Sequence, residues 1–292
     1  MKGIILAGGK GTRLSPLTNG ISKHLAPVYN KPMIYYSLSV LLLAEIRDIC
    51  IITNKEHISS YKNLLGNGNK FGVSIEYKIQ EKPNGLPESF IIAEEFIENK
   101  PCCLILGDNF FFGSNLKSKL IEAKNNIGAT IFSQTVKHPS EFGVVSLDKK
   151  GIPLKIIEKP SKFIGNDVVT GLYFYDEEVV NEAKSLTPSQ RNELEITDLN
   201  NKYLEKEKLN NISLGRGIAW LDMGTFSDLM RASQFVETIE NRQGLMIACL
   251  EEIGIENDWI SIRQVKQNLK NYPVNEYSRY ILEKIDSYEK SI

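Results

Sequence analysis

Along the first two-thirds of the 292-residue chain, short apolar runs rich in Ile and Val alternate with longer amphipathic stretches. Residues 3–7, 48–53, 73–79 and 102–106 are apolar without strict alternation, the pattern of strands buried on both faces. Between them, residues 32–44, 56–65 and 86–97 have helical length and spacing. Pro32 suits a first helical turn, where its missing N–H costs nothing. Strand and helix in alternation predict a parallel sheet covered by helices on both faces. From Gly128 the pattern changes. Residues 129–136, 142–147, 154–158 and 168–175 are strand-like and separated by short turns such as Asp148-Lys149-Lys150-Gly151, which predicts added antiparallel strands framing a pocket. Beyond Trp220 the chain reads as helical, over 226–241, 260–270 and 276–290. The segment after Gln243 is marginal as an independent core. The expected division is therefore a main α/β domain over 1–243 and a C-terminal helical appendage over 244–292.

Composition narrows the class without naming a chemistry. Lys and Arg total 35 against 36 Asp and Glu, a net charge of −1, so no basic excess marks a nucleic-acid or acidic-lipid partner. The longest apolar run, residues 245–250, falls far short of the ~20 residues that span a bilayer. No signal-peptide pattern accompanies the first apolar run, and Cys50, Cys102, Cys103 and Cys249 lie in apolar stretches without CxxC spacing. Buried reduced thiols in a cytoplasmic protein are the expectation.

The most informative segment is Leu6-Ala7-Gly8-Gly9-Lys10-Gly11-Thr12-Arg13-Leu14, directly after the first strand. Glycines there let backbone N–H groups of Gly8, Gly9 and Gly11 point at phosphate oxygens, at the strand end where open α/β sheets bind ligands. A Walker A loop requires Gly-Lys-Ser/Thr, and here Gly11 stands after Lys10. A Rossmann dinucleotide fingerprint requires a third glycine where Leu14 stands, and a helix where Pro16, Gly20 and Pro27 interrupt the chain. The pattern left is Gly-Gly-x-Gly-Thr-Arg with a long, basic, proline-punctuated loop after it.

That pattern, with Ser22-Lys23 and Lys31-Pro32, resembles the signature of the sugar-phosphate nucleotidyltransferases. Further stretches resemble the glucose-1-phosphate thymidylyltransferase branch of that family: Leu106-Gly107-Asp108-Asn109, Phe142-Gly143-Val144-Val145, Glu158-Lys159-Pro160, Thr170-Gly171-Leu172-Tyr173, Glu193-Leu194-Glu195-Ile196-Thr197-Asp198 and Trp220-Leu221-Asp222-Met223-Gly224-Thr225. The resemblance runs from residue 1 to about residue 260. It implies a Rossmann-like twisted sheet and attack by a glucose 1-phosphate oxygen on the α-phosphorus of dTTP. The products would be dTDP-glucose, at the head of dTDP-rhamnose or related deoxysugar synthesis, and pyrophosphate. It also implies a homotetramer with end-product inhibition.

Residue by residue, the resemblance implies that Arg13 and Lys23 hold the triphosphate beside Gly8, Gly9, Gly11 and Thr12. Asp108 and Asp222, each at the end of an apolar strand, would hold Mg²⁺. Lys159 and Arg191 would hold the sugar phosphate, with Glu158, Gly143 and Val169 on the hexose. Gln80 and the Gly85-Leu86 turn would read the pyrimidine. A general base is unnecessary, since a phosphate monoester dianion is already a nucleophile, and the chain has only three histidines.

Two departures from the family pattern stand out. His24 and Ala26 replace the usual Gln and Leu, and a protonated His24 would add a cation near the phosphates, so that nucleotide KM falls as pH drops through its titration. Gly85-Leu86-Pro87-Glu88-Ser89 departs from Gly-Leu-Ala-x-Ala and leaves base preference open. The alternatives are a UTP-dependent or amino-sugar enzyme of the same chemistry, and a non-catalytic nucleotide-sugar-binding regulator.

Overall fold

The computed structural model describes residues 1–291. Strand β1 (Lys2–Ala7) leads into the glycine turn, a loop with three short 3-10 turns, and a small ribbon of β2 (Pro27–Val28) and β3 (Lys31–Pro32). Helix α1 (Met33–Leu43) comes next, with Met33 through Leu42 all buried, as befits a helix apolar all round. After it stand β4 (Asp48–Thr53), α2 (Ile58–Leu65), β5 (Ser74–Ile79), and α3 (Glu88–Ile92) with α4 (Glu94–Ile97). The single helix expected over 86–97 is two, because Ala93 leaves helical geometry at ψ 8°. Then come β6 (Cys102–Leu106), β7 (Asn109–Gly113), α5 (Leu116–Asn125), β8 (Ala129–Thr135), the hairpin β9 (Gly143–Leu147) and β10 (Pro153–Glu158), and β11 (Asp167–Tyr175). The remainder is α6 (Val179–Lys184), α7 (Ile196–Glu205), β12 (Leu209–Ser213), β13 (Ile218–Asp222), α8 (Phe226–Gln243), α9 (Leu250–Glu256), α10 (Ile262–Leu269) and α11 (Glu276–Ser291).

The pairings define a sheet in the order β12-β8-β11-β6-β1-β4-β5, in which only β11 runs antiparallel to its neighbours. The class expected from the sequence is the one observed. Because successive side chains alternate faces, Ile4 and Leu6 pack on one side of the sheet and Ile5 and Ala7 on the other. The first side is covered by α3, α4, α6 and α7, the second by α1, α2, α5 and α9. The first residues of β11 extend past β6, where Val168 faces Val144 of β9. The hairpin β9–β10 therefore stands at the carboxyl end of β6.

A separate antiparallel ribbon pairs β7 with β13 and sets Asp222 opposite Asn109. Helix α8 packs on it through Ala232 and Val236, with Thr225 capping its start and Gly244, at φ 62°, ending it. A buried ion pair, Lys31 to Glu240 at 2.9 Å, ties β3 to this helix. The C-terminal helices α10 and α11 close a small core with Cys249, Ile260 and Ile281, while Leu250 and Ile253 of α9 join the main core. All four cysteines are buried thiols, and among the described residues no helix is long and apolar enough to cross a membrane.

Candidate active site

The carboxyl ends of β1, β5 and β6 open into a cavity of about 320 Å³. It is lined by Gly9, Lys23, His24, Gln80, Gly85, Asp108, Glu158, Lys159 and Arg191, all expected site residues and drawn from well-separated stretches of chain. Arg13 and Asp222 line an adjoining cavity with Trp220, and Gly8 and Thr12 line a third on the outer side of the glycine turn, which Gln80 also reaches. Gly143 opens β9 against Glu158: a Cβ there would stand 3.2 Å from Glu158 Oε2. Gly11, Gly143 and Val169 line none of these three cavities, and Val169 is buried in β11, paired with Ser133 of β8.

Gly11 takes φ +62°, and a Cβ there would lie 2.9 Å from Lys23 Cβ, so the glycine turn and the lysine loop touch across this residue. Lys23 is buried and donates to Asp108 Oδ2. Burial works to raise the Asp108 carboxyl, but the Lys23 ammonium outweighs it and holds the group below its ordinary range. Among the described residues Asp222 has no cation in contact, Lys23 and Arg13 acting on it only from a distance. Burial, and then the charge of Asp108, push its carboxyl up to about 6. The two are linked through backbone, Met223 N donating to Asp108 O at 3.0 Å.

Asn109 reads in the sequence only as a letter of a motif, yet the structure makes it the joint of this region. Its Nδ2 donates to Asp108 Oδ1 at 3.1 Å, and its Oδ1 accepts from Gly171 N at 3.1 Å and Trp220 Nε1 at 2.7 Å. One buried amide thus fixes the Asp108 carboxylate relative to β11 and to the strand that ends at Asp222.

At the other end, Glu158 Oε2 accepts from Thr197 Oγ1 at 2.7 Å, and Lys159 and Arg191 each approach Glu158 Oε1 at 3.8 Å. Arg191 is held by a fork to Glu195, at 3.2 and 2.8 Å. Lys159 sits at φ 41°, a strained backbone for a residue with a side chain, of the kind found at ligand sites. Thr197 and Glu195 are likewise legible in the sequence only as letters of a motif.

Electrostatically, the adjacent Asp108 and Asp222 suit a divalent cation, which would relieve their repulsion. Among the described residues no three His, Cys, Asp or Glu side chains gather as a metal cluster. Two carboxylates fit Mg²⁺, which retains water and phosphate oxygens as ligands.

His24 is buried, and it carries no charge near neutral pH. It packs against Gly107, with Nδ1 3.4 Å from Ser22 Oγ, and burial lowers its pKa to about 4. The expected fall of KM through a His24 titration should therefore be absent: nucleotide KM between pH 6 and 8 should have the same profile in the parent and in His24→Gln. The acid limb should differ. Folding favours the neutral ring, so this contribution is complete above 6.5 and is lost as pH falls towards about 4. The loss amounts to about 3 kcal/mol. Acid titration of unfolding should show a shallower decline in His24→Gln.

This arrangement is that of an α/β protein that gathers glycine amides, cationic side chains and two carboxylates at the carboxyl ends of a parallel sheet, where open α/β sheets bind ligands. The nucleotidyl transferase family model matches residues 2–239, and the chain belongs to that family. It is 52% identical over 283 residues to the glucose-1-phosphate thymidylyltransferase of Neisseria meningitidis serogroup A, covering 97% of this chain and 98% of that one. The enzyme of the same name from Mycolicibacterium smegmatis is 45% identical, covering 98% and 99%. Among solved structures, a Bacillus anthracis protein assigned the same activity and crystallised with a sucrose superposes with a TM-score of 0.75 at 41% identity, covering 80% of this chain and 94% of that one.

Proposed function

We propose that this chain transfers a thymidylyl group from dTTP to glucose 1-phosphate. The observation that carries the reading is one continuous cavity wall. It runs from Gln80, Gly85 and Gly9 past Lys23 and Asp108 to Glu158, Lys159 and Arg191. A nucleotide fits the first end and a phosphorylated sugar the second, and the two bacterial relatives carry the matching activity in their names.

In the reaction, a phosphate oxygen of glucose 1-phosphate forms a bond to the α-phosphorus of dTTP. The bond from that phosphorus to the oxygen bridging to the β-phosphate breaks, and pyrophosphate leaves with that oxygen. Lys159 and the forked Arg191 hold the attacking phosphate, while Lys23, Arg13 and the glycine-turn amides hold the triphosphate. Glu158, steadied by Thr197, accepts from sugar hydroxyls. Asp108 and Asp222 would hold Mg²⁺, whose charge, when bound, offsets the negative charge that builds on the phosphates. The protein's main task is positioning two polyanions, which would otherwise repel.

The test is pyrophosphate release by the purified chain with dTTP, glucose 1-phosphate and Mg²⁺, repeated with UTP and with amino-sugar 1-phosphates. The first pair should give the highest kcat/KM. Release with no pair, or with dTTP only in the absence of sugar phosphate, would overturn the proposal.

A further inference from the structure

Glu88 lies where the sequence departs from its family, and the structure gives it a specific occupation. Its Oε2 accepts from Gln80 Nε2 at 2.8 Å, and its Oε1 accepts from Asn84 Nδ2 at 2.7 Å. The carboxylate is thus held from two sides at the start of α3. Gln80 is 4% exposed, so its amide has little freedom to find other partners in water. Its Oε1 lies over Gly8 of the glycine turn and has no hydrogen-bond partner among the described residues, and the residue lines both the cavity that presents Gly85 and Leu86 and the one beside Gly8.

A carboxylate only accepts hydrogen bonds. It therefore fixes which way the Gln80 amide faces: NH₂ towards Glu88, carbonyl towards the glycine turn, free to accept from a ligand. A free glutamine could turn about its last bond and offer either group. We propose that Glu88 is a specificity-determining positioning residue, which locks Gln80 as an acceptor and thereby selects bases that carry a proton on the ring nitrogen of their pairing edge. Thymine and uracil have N3–H. Cytosine presents a lone pair at N3, so carbonyl would meet lone pair and the site would be left unpaired. This rests on the nucleotide end of the cavity in the proposed function, and it adds how that end tells one pyrimidine from another.

The test compares dTTP, UTP and dCTP in the parent, Glu88→Gln and Glu88→Ala, by kcat/KM with glucose 1-phosphate and, separately, by calorimetric Kd without sugar phosphate. In Glu88→Ala the preference for dTTP over dCTP should fall roughly 10- to 100-fold, since Gln80 can now turn its NH₂ to cytosine N3. The change should lie in KM and Kd more than in kcat. Glu88→Gln, whose side-chain oxygen still accepts from Gln80, should keep most of the preference. A merely structural glutamate would weaken both nucleotides alike, and a ratio in Glu88→Ala within about twofold of the parent's overturns the inference. Equal parental affinity for dTTP and dCTP overturns it as well. A parent that binds dTTP selectively but releases no pyrophosphate would instead defeat the proposed reaction, and the Kd ratios would still decide the role of Glu88.

Discussion

Asp222→Asn should yield a protein that is almost inactive and yet, free of metal, more stable than its parent. The activity loss comes from removing one of two carboxylates that can hold the cation, and is expected to be about a thousandfold in kcat, or ~4 kcal/mol of transition-state stabilisation. The stability gain comes from the sign of the shift at this group. Burial, and after it the charge of Asp108, raises the Asp222 carboxyl to about 6, so folding favours its neutral form. The favourable contribution of that form is complete below the ordinary pKa and is lost as pH rises through about 6, which leaves a strained, charged pair at pH 7.5. An amide removes the charge, for a gain of about 2–3 kcal/mol at that pH. Denaturant unfolding with EDTA should show the gain, and added Mg²⁺ with nucleotide should stabilise the parent while leaving the variant unmoved. Equal stability of the two proteins in EDTA would contradict the electrostatic reading of this site.

Gly85→Ala should damage both halves of the site from one methyl group. Gly85 has φ +107°, and a Cβ there would lie 2.6 Å from Leu194 N and closer still to Leu194 O. Both are backbone atoms and neither can turn aside. The contact is part of a short zipper, with Gly85 bridged to Leu194 and Leu194 N donating to Asn84 O at 2.7 Å. The two sides of this zipper carry different tasks. One presents Gly85 and Leu86 beside Gln80. The other runs on to Glu195, which forks Arg191 at the end of the cavity proposed for the sugar phosphate. A methyl wedge is expected to cost about 3 kcal/mol of stability or more. It should also raise KM for nucleotide and sugar phosphate together, lowering kcat/KM about 100-fold. Initial rates with each substrate varied in turn would show this. A rise in KM for only one of the two would mean that the walls move independently.

Some of this architecture is legible in the residues and some is not, for identifiable reasons. β1, β4 and β6 are buried on both faces, and continuous apolar runs announce them. β12, Leu-Asn-Asn-Ile-Ser, buries only Leu209 and Ile212 well, and its polarity hides it. α9 is hidden by Gly254, a poor helix former that is there because Phe71 O lies 2.6 Å from where a Cβ would stand. α7 reads as a motif and not as a helix, although Leu199 and Tyr203 mark its buried face. The charged groups of the site are legible because each lies in a short stretch with its own pattern. Their supports are not, because those contacts join distant residues: Thr197 to Glu158 across 39 positions, Trp220 to Asn109 across 111. The neutrality of His24 is illegible for the same reason, since its burial depends on Gly107, 83 positions away, which a linear reading does not bring near.

On the function proposed, two phosphates react with each other directly, and the chain acts through cations, amides and carboxylates and never as a nucleophile. Among the described residues, all four cysteines are buried thiols, and burial raises the pKa of each. His24 is buried too, hard against the Asp108 region. The most direct measurement is the stereochemical course at the α-phosphorus, using one diastereomer of α-thio-dTTP with glucose 1-phosphate and assigning the configuration of the thio-nucleotide sugar by phosphorus NMR. A single in-line displacement predicts inversion. Retention would require two displacements through a nucleotidylated side chain, and would contradict the account.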